Sequence, residues 1–200
     1  MATPERFSET VLQQVETIKR HGIAATAGLY DLTSVRLVRF ATTITRNQHD
    51  AEDAVASALL KIVSDIEVLF QAKNPWAFLL QMVRNDALLI LRRKRRWLLV
   101  AAKISDCLSD LIQRTPKLDA VEDQESKCEI WRAIRLLPTE QAEVVVLKIW
   151  EEFTFHQIAQ TLGIPPATAA SRYRYGLSKL SEILGSEFGE SMVQEVEYGQ

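Results

Sequence analysis

The stretch TFHQIAQTLGIPPATAASRYRYGLSKLSEIL, residues 154–184, decides the fold of the second half of the chain. Thr154 and Gln157 have the spacing of a capping box, in which each side chain binds the backbone N–H of the other residue. Gly163 stands where a helix ends in the left-handed conformation, and the Pro165–Pro166 pair suits the start of another helix. A helix, a glycine turn and a second helix predict a helix-turn-helix.

The second of these helices combines an apolar stripe with a polar outward face. The stripe consists of Ala169, Tyr173, Leu177, Leu180 and Leu184. Hydroxyl groups and an arginine fork are the side chains with which a recognition helix reads bases or holds phosphates. The predicted DNA-binding residues are Thr168, Ser171, Arg172, Arg174 and Tyr175. A helical hairpin without a role in DNA binding is the alternative.

The first half of the chain also has helical periodicity. A long helix is predicted from the apolar residues Val55, Ala58, Leu59, Ile62, Ile66 and Leu69. Asp50 is its predicted N-cap, with Glu52 and Asp53 in the first turn, where the helix dipole favours anions. Because a helix start explains these carboxylates, no metal site is predicted here. Residues 35–44 predict a further helix, and residues 5–20 a weaker one.

A helix from Pro75 to Trp97 is predicted to have two different faces. Its expected core face is Trp76, Leu80, Val83, Ala87 and Leu91, and its opposite face holds Arg84, Asn85, Arg92, Arg95 and Arg96. Trp76 has a second interpretation, as a ring that stacks on an unpaired base. Since no strand-like alternation of any length occurs, the predicted fold class is all-α.

The net charge of −2 conceals a cationic block at the end of this helix, where Arg92–Arg96 is an unbroken run of five arginines and lysines. A phosphate backbone responds to local potential and releases counterions wherever a cation neutralises a phosphate. The block therefore predicts contact with nucleic acid, and a solvated charge run is the alternative.

Composition divides the 200 residues into two small helical domains joined by an acidic linker. The predicted segments are an N-terminal helical extension, a first domain, the linker, a helix-turn-helix domain and an acidic tail, at 1–28, 29–97, 98–128, 129–184 and 185–200. Domains of this size have modest cores, so a stabilising partner is expected.

Several classes of protein are disfavoured by the sequence. The longest apolar stretch, Trp97–Ala102, is far shorter than the roughly 20 residues that span a bilayer, and MATPERFSET lacks the pattern of a signal peptide. We therefore expect a cytoplasmic protein without membrane insertion. Cys107 and Cys128 have no metal-ligand spacing, and no catalytic motif occurs. An enzyme, a metal and a cofactor are not predicted.

Three segments resemble the sigma-70 family of bacterial RNA polymerase sigma factors, in its short extracytoplasmic-function (ECF) subfamily. LVRFATTITRNQHDAEDAVASALLKI at 37–62 is similar to the second conserved region of the family. NPWAFLLQMVRNDALLILRRKRR at 74–96 resembles its promoter-melting, minus-ten-reading helix. AIRLLPTEQAEVVVLKIWEEFTFHQIAQTLGIPPATAASRYRYGLSKL at 133–180 resembles the fourth region. Three motifs in register are a specific signal.

The resemblance implies that the chain binds core RNA polymerase and promoter DNA. It also implies an inhibitory partner, an anti-sigma factor. The clamp helices of the largest polymerase subunit would contact Asp50, Asp53, Ser57 and Lys61, and the flap of the second largest subunit would hold the fourth region. The minus-ten element would contact Trp76, Arg84, Asn85, Arg92, Arg93, Arg95 and Arg96. The helix that begins at Pro166 would read the minus-thirty-five element.

The sequence departs from the family pattern at four places. Ala56–Ser57 stands where the family usually has polar residues in the clamp-binding helix, and Leu89 stands where an acidic residue is common. In the recognition helix, Ala170 replaces a frequent lysine, and Tyr173 replaces the usual inward leucine. Two alternatives to a sigma factor follow from the residues alone. One is a stand-alone helix-turn-helix regulator, and the other is a helical interaction protein that does not touch DNA.

Overall fold

The computed structural model describes residues 4–105 and 129–185. These residues form nine α-helices and the short 3-10 turn Ile23–Ala25. The helices are α1 Pro4–His21, α2 Thr26–Thr45, α3 Gln48–Ser64, α4 Glu67–Phe70, α5 Pro75–Ser105, α6 Glu129–Leu136, α7 Thr139–Ile149, α8 Phe155–Leu162 and α9 Pro166–Leu184. The described part of the chain has no strand, and the predicted all-α fold of two small helical domains is confirmed.

The N-terminal bundle, α1–α5, is built on the mutual packing of α2, α3 and α5. Phe40 of α2, Ile62 of α3 and Leu80 of α5 are almost fully buried between them. The weakly predicted N-terminal helix is present as α1, which packs on α2 and α5 through one apolar side that includes Val11 and Val15. Apolar residues at three- and four-residue steps explain this arrangement.

The predicted N-cap of α3 is wrong. Asn47, not Asp50, occupies the cap: its side-chain oxygen accepts a hydrogen bond from the backbone N–H of Asp50 at 3.0 Å. The helix therefore begins three residues earlier than expected, at Gln48. Asparagine and aspartate are nearly equivalent caps, so neighbouring candidates in sequence are hard to rank.

Helix α5 is longer than predicted, because it continues past Trp97 to Ser105 and so crosses the expected start of the linker. Residues 98–105 contain neither glycine nor proline and are mostly good helix formers, so nothing in them ends the helix. The acidic residues expected between 106 and 128, and those of the tail after Gly185, lie outside the described residues.

The helix-turn-helix is confirmed in its details. Both hydrogen bonds of the Thr154–Gln157 capping box are present at the start of α8. Gly163 ends α8 in the left-handed conformation, with φ 67° and ψ 39°, which favours a residue without a Cβ atom. Pro166 opens α9 where no backbone donor is needed.

The two domains are packed together. Helix α2 contacts α7, helix α5 contacts α8, and the buried apolar residues of both domains form one continuous cluster. Within the described residues, none of the helices is long and apolar enough to cross a lipid bilayer.

Candidate nucleic-acid interface

The basic end of α5 is open to solvent. Arg92, Arg93, Arg95 and Arg96 are all exposed. Lys94, the fifth cation, has its ammonium nitrogen 2.5 Å from Oδ2 of Asp50 on α3. This ion pair ties the basic end of α5 to the start of α3, and the four arginines around it form a cationic surface suited to phosphates.

Trp76, at the other end of α5, lies in the core and not on this surface. Its side chain is 0% exposed, and its indole Nε1 donates a hydrogen bond of 2.8 Å to Oε2 of Glu151, which follows α7. The ring of Phe7 on α1 packs edge-on against it, with 4.9 Å between ring centroids. Of the two interpretations of Trp76, the structure favours the core residue, and a base cannot stack on it in this arrangement.

Arg84, which the sequence places on the face of α5 opposite the core, is largely covered by the second domain. Its Nε lies 2.7 Å from Oε1 and its Nη2 3.2 Å from Oε2 of Glu143 on α7, a two-pronged ion pair. Only 18% of the Arg84 side chain and 1% of the Glu143 side chain are exposed. The periodicity of α5 does not reveal this contact, because it carries no information about a second domain that covers the outer face there. Asn85, by contrast, is exposed.

Glu143 and Glu151, the two glutamates that contact α5, both have a raised carboxyl pKa. Burial raises the pKa of the Glu143 carboxyl above its ordinary value of 4.5, against the opposing effect of Arg84. Burial likewise raises the pKa of Glu151, against the hydrogen bond from Trp76 and the positive charge of Arg36. Both shifts have the same cause, because low polarizability of the surroundings disfavours the charged form.

The predicted recognition residues on α9 differ in accessibility. Arg174 and Tyr175 are exposed, and Tyr175 reaches 68%. The Ser171 hydroxyl donates a hydrogen bond of 3.0 Å to the backbone carbonyl of Thr168. Arg172 has its Nη2 3.3 Å from Oε2 of Glu140, with 23% of its side chain exposed. The helix therefore presents part of its polar face freely, while Arg172 is held toward α7.

The predicted polymerase-binding residues also differ in how far they are exposed to solvent. Asp53 is exposed and Ser57 is partly exposed, one turn apart on the outer side of α3. Lys61 is half exposed and forms an ion pair with Asp86 of α5. Asp50 is 8% exposed and is paired with Lys94, so it does not form part of an open contact surface.

An exposed leucine and a groove extend this surface of α3. Leu60, which the sequence analysis did not single out, is 67% exposed. Next to Asp53 and Ala56 lies a groove of about 610 Å³, which Trp131 and Arg135 of α6 also line. A concave surface next to the exposed carboxylate of Asp53 gives this side of α3 a shape that a partner protein can fill.

Sequence reasoning missed the contacts between the domains. Besides Glu143 and Glu151, these include Arg36 of α2, whose Nη1 lies 3.2 Å from Oε2 of Glu151. They also include Arg46, which donates a hydrogen bond of 2.8 Å to the carbonyl of Leu137. One signal was available: Glu143 interrupts the apolar run Ala142–Leu147, and a carboxylate in such a run requires a buried cationic partner.

Two segments of the chain match models of known protein families. Residues 29–97 match the family model "Sigma-70 region 2", and residues 129–180 match "Sigma-70, region 4". The RNA polymerase sigma-E factor of Streptomyces coelicolor is 25% identical over 148 residues, which are 74% of this chain and 79% of that protein. The ECF RNA polymerase sigma factor SigE of Mycolicibacterium smegmatis is 26% identical over 161 residues, 78% of this chain and 60% of that protein.

A solved structure has the same fold. It is the sigma factor RpoE in complex with the anti-sigma factor NepR from Bartonella quintana, with a TM-score of 0.60 and 22% sequence identity. The match covers 79% of this chain and 95% of that one. The two family matches together cover more than half of the chain, in the order expected from the sequence. The chain therefore belongs to the sigma-70 family of RNA polymerase sigma factors, in the ECF subfamily, whose members bind core polymerase and direct the initiation of transcription.

Proposed function

We propose a division of labour among three surfaces of this sigma factor. The outer side of α3 binds core polymerase, the outer side of α5 holds the minus-ten element, and α9 reads the minus-thirty-five element. The observation that carries the proposal is the exposed block of four arginines on α5, on the same chain as an intact helix-turn-helix.

Polymerase binding is assigned to the exposed side of α3. Asp53, Ser57 and Lys61 would face the clamp helices of the largest subunit, and Leu60 adds an apolar contact. Asp50 supports this surface indirectly, by fixing Lys94 against the start of α3. The flap of the second largest subunit would hold the domain made of α6–α9.

Minus-ten binding is assigned to α5. Arg92, Arg93, Arg95 and Arg96 would hold phosphates, while Asn85 would bind an unstacked base of the non-template strand. Each captured base gains about 1–3 kcal/mol from stacking and similar contacts, comparable to the stacking that it loses, so melting needs no ATP. Arg84 would take part only after the second domain uncovers it, and Trp76 would support the helix from the core.

Recognition of the minus-thirty-five element is assigned to the N-terminal half of α9. Thr168, Ser171, Arg172, Arg174 and Tyr175 would meet the major groove or the phosphates beside it. Arg172 must exchange its contact with Glu140 for one with DNA. This exchange is reasonable because the Glu140 side chain is 69% exposed, where ion pairs contribute little.

We further propose that the chain acts in the cytoplasm, by binding and not by catalysis, and that an anti-sigma factor regulates it. The structurally similar sigma factor from Bartonella quintana is bound to such an inhibitor. A stand-alone regulator is not favoured, because both halves of the chain match regions of sigma factors.

Transcription in vitro tests the proposal. Core polymerase is combined with a library of genomic fragments, with and without the purified chain. We expect new transcripts with defined starts only when both proteins are present, and co-elution of the chain with core polymerase. Failure of the chain to bind core polymerase would refute the proposal.

Substitutions on α3 test whether this helix binds core polymerase. Replacing Asp53 and Leu60 together with alanine should lower the affinity for core polymerase, whereas Glu9→Ala, an exposed change on α1, should leave it unchanged. Equal affinity of all three proteins would remove α3 from the interface.

A further inference from the structure

Two ion pairs with the same arrangement join α3 to α5. At the start of α3, Asp50 pairs with Lys94 of α5, and near the end of α3, Lys61 pairs with Asp86 of α5. The lysine side chains are 56% exposed for Lys94 and 53% for Lys61, while the carboxylate side chains are only 11% and 7% exposed. Each pair therefore consists of a buried carboxylate and a lysine that reaches the surface of the bundle.

Asp86 is an incompletely satisfied buried group. It lies beside Val83 and Ala87 on α5, which are both 0% exposed. Lys61 binds its Oδ1, whereas its Oδ2 is buried and has no hydrogen-bond partner within the described part of the chain. The removal of a carboxylate from water is costly, and one ion pair with a half-exposed lysine offsets only part of that cost. The stability of the bundle therefore does not explain why a carboxylate occupies this position.

The position of Lys61 suggests what the carboxylate does. Lys61 lies one turn after Ser57 and directly after the exposed Leu60, on the side of α3 to which polymerase binding is assigned. Its ammonium group has three N–H donors, so donors remain for a partner while Asp86 holds the group from below. A lysine without such a contact is flexible, and its ordering on binding lowers the affinity.

We propose that Asp86 is a positioning residue for polymerase binding, which holds the ammonium group of Lys61 where it donates to an acceptor oxygen of core polymerase. The inference rests on the polymerase surface proposed for α3. It adds to that surface a buried residue of α5 that does not itself touch the polymerase.

A purely structural role of the ion pair is the alternative. Lys61 lies in the last turn of α3, where the helix dipole favours a cation whether or not Asp86 is present. If the pair serves only the fold, the loss of Asp86 affects polymerase binding independently of Lys61 or not at all. If Asp86 acts by positioning, its effect on binding requires Lys61.

A double-mutant cycle on the affinity of the full chain for core polymerase separates the two roles. Ordering a flexible side chain on binding costs about two- to tenfold in affinity, so we expect Asp86→Asn and Asp86→Leu to bind more weakly by that factor. In the Lys61→Ala background, the same changes should cause no further loss. Unchanged affinity in both single variants, or an equal loss with and without Lys61, would overturn the proposal.

Urea unfolding of each free chain shows that the loss of affinity does not come from unfolding. Asp86→Leu removes the buried carboxylate and leaves Lys61 in contact with water, so we expect a midpoint no lower than that of the wild type. Glu16→Leu on α1 breaks a lysine–carboxylate pair with Lys19 that is assigned no partner. As the matched control, it should keep the wild-type affinity. If Asp86→Leu loses its helical signal in circular dichroism, Asp86→Asn, which preserves the side-chain shape, decides the cycle.

Nuclear magnetic resonance of the free chain tests the positioning directly. Carbon-13 relaxation at lysine Cε reports how ordered each lysine side chain is, and the Lys61 signal is assigned by its absence from Lys61→Arg. We expect the Lys61 signal to be ordered in the wild type and mobile in Asp86→Asn. Equal mobility of Lys61 in both proteins would show that Asp86 does not position it.

Failure of this inference is distinct from failure of the proposed function. If Asp53→Ala/Leu60→Ala binds polymerase more weakly but the cycle shows no coupling between Asp86 and Lys61, the surface on α3 stands and the positioning role is refuted. If none of these variants changes the affinity, α3 is not the polymerase surface, and the inference fails together with it.

Discussion

Glu143 illustrates how one buried charge can determine the way in which two domains pack together. It is surrounded by the apolar residues of α7 and would be strongly destabilising without Arg84, because an unpaired buried charge costs several kcal/mol. The same pair fixes the position of the second domain on the first. A residue that contributes little net stability can therefore still determine which surfaces meet.

The raised pKa of Glu143 gives a pH prediction at this scale. The folded protein holds the carboxyl proton more tightly than the unfolded chain, so protonation favours folding. The resulting stabilisation is complete below pH 4.5, the ordinary value for glutamate, and is lost as the pH rises through the raised pKa. Glu143→Gln does not titrate, so we expect its free energy of unfolding to fall less steeply with pH than that of the wild type.

Urea unfolding at a series of pH values from 4.5 to about 8 measures this difference. Glu182→Gln, on the exposed side of α9, serves as the control and should follow the wild-type profile. Parallel profiles for the wild type and Glu143→Gln would show that Glu143 binds no extra proton on folding.

Among the elements, α5 and α9 combine two tasks each. The buried side of α5 completes the bundle core, while its exposed end carries the arginine block. Helix α9 packs on α7 and α8 and still presents Arg174 and Tyr175 to solvent. In both helices, rigid packing of one side fixes where the polar groups of the other side point.

Helix α9 approaches α7 closely at Gly176. A Cβ atom there would lie 2.7 Å from Cγ2 of Val145, a fully buried side chain that would have to shift. Gly176→Ala gains about 1 kcal/mol of helix propensity but suffers an overpacking cost of about 1–3 kcal/mol. We expect a net destabilisation of up to about 2 kcal/mol in chemical denaturation.

A matched pair at Ser178, exposed on the same helix, separates the two effects. The difference between Ser178→Gly and Ser178→Ala gives the propensity gain of alanine without any packing change. If Gly176→Ala stabilises the protein by that same amount, the helices do not approach as closely as the structure indicates.

At the scale of the whole molecule, charge is distributed unevenly although the net charge is only −2. The exposed arginines of α5 form one cationic region, while the carboxylates of α7 neutralise the basic residues at the domain interface. Binding to DNA should therefore depend on local charge more than on net charge.

The arginine block predicts the salt dependence of promoter binding. Each phosphate contact contributes about 0.7–0.9 to the slope of log affinity against log salt concentration. Replacing Arg92, Arg93, Arg95 and Arg96 with alanine should therefore lower the slope by about 3 to 4 for the complex with core polymerase. Filter binding at several salt concentrations measures it.

The control for this experiment removes two cations elsewhere. Lys19→Ala/Arg20→Ala changes the exposed end of α1, which is assigned no contact with DNA, and should keep the wild-type slope. If the α5 variant also keeps that slope, the arginine block does not touch phosphates.

The sequence alone determined the local structure of this protein. The capping box at Thr154, the glycine turn at Gly163 and the apolar periodicity of α3 and α5 depend on residues at most a few positions apart, so their chemistry is visible in the order of the residues. The resemblance to sigma factors was visible for the same reason, because the motifs are continuous stretches.

Only the tertiary structure decided which functional side chains are accessible. Trp76 and Arg84 meet Glu151 and Glu143 across 75 and 59 residues of sequence, and periodicity within one helix carries no information about such distant partners. The physical reason is that a buried charge selects its partner by position in space. The sequence shows that a partner is needed, and the packing of the two domains determines which residue it is.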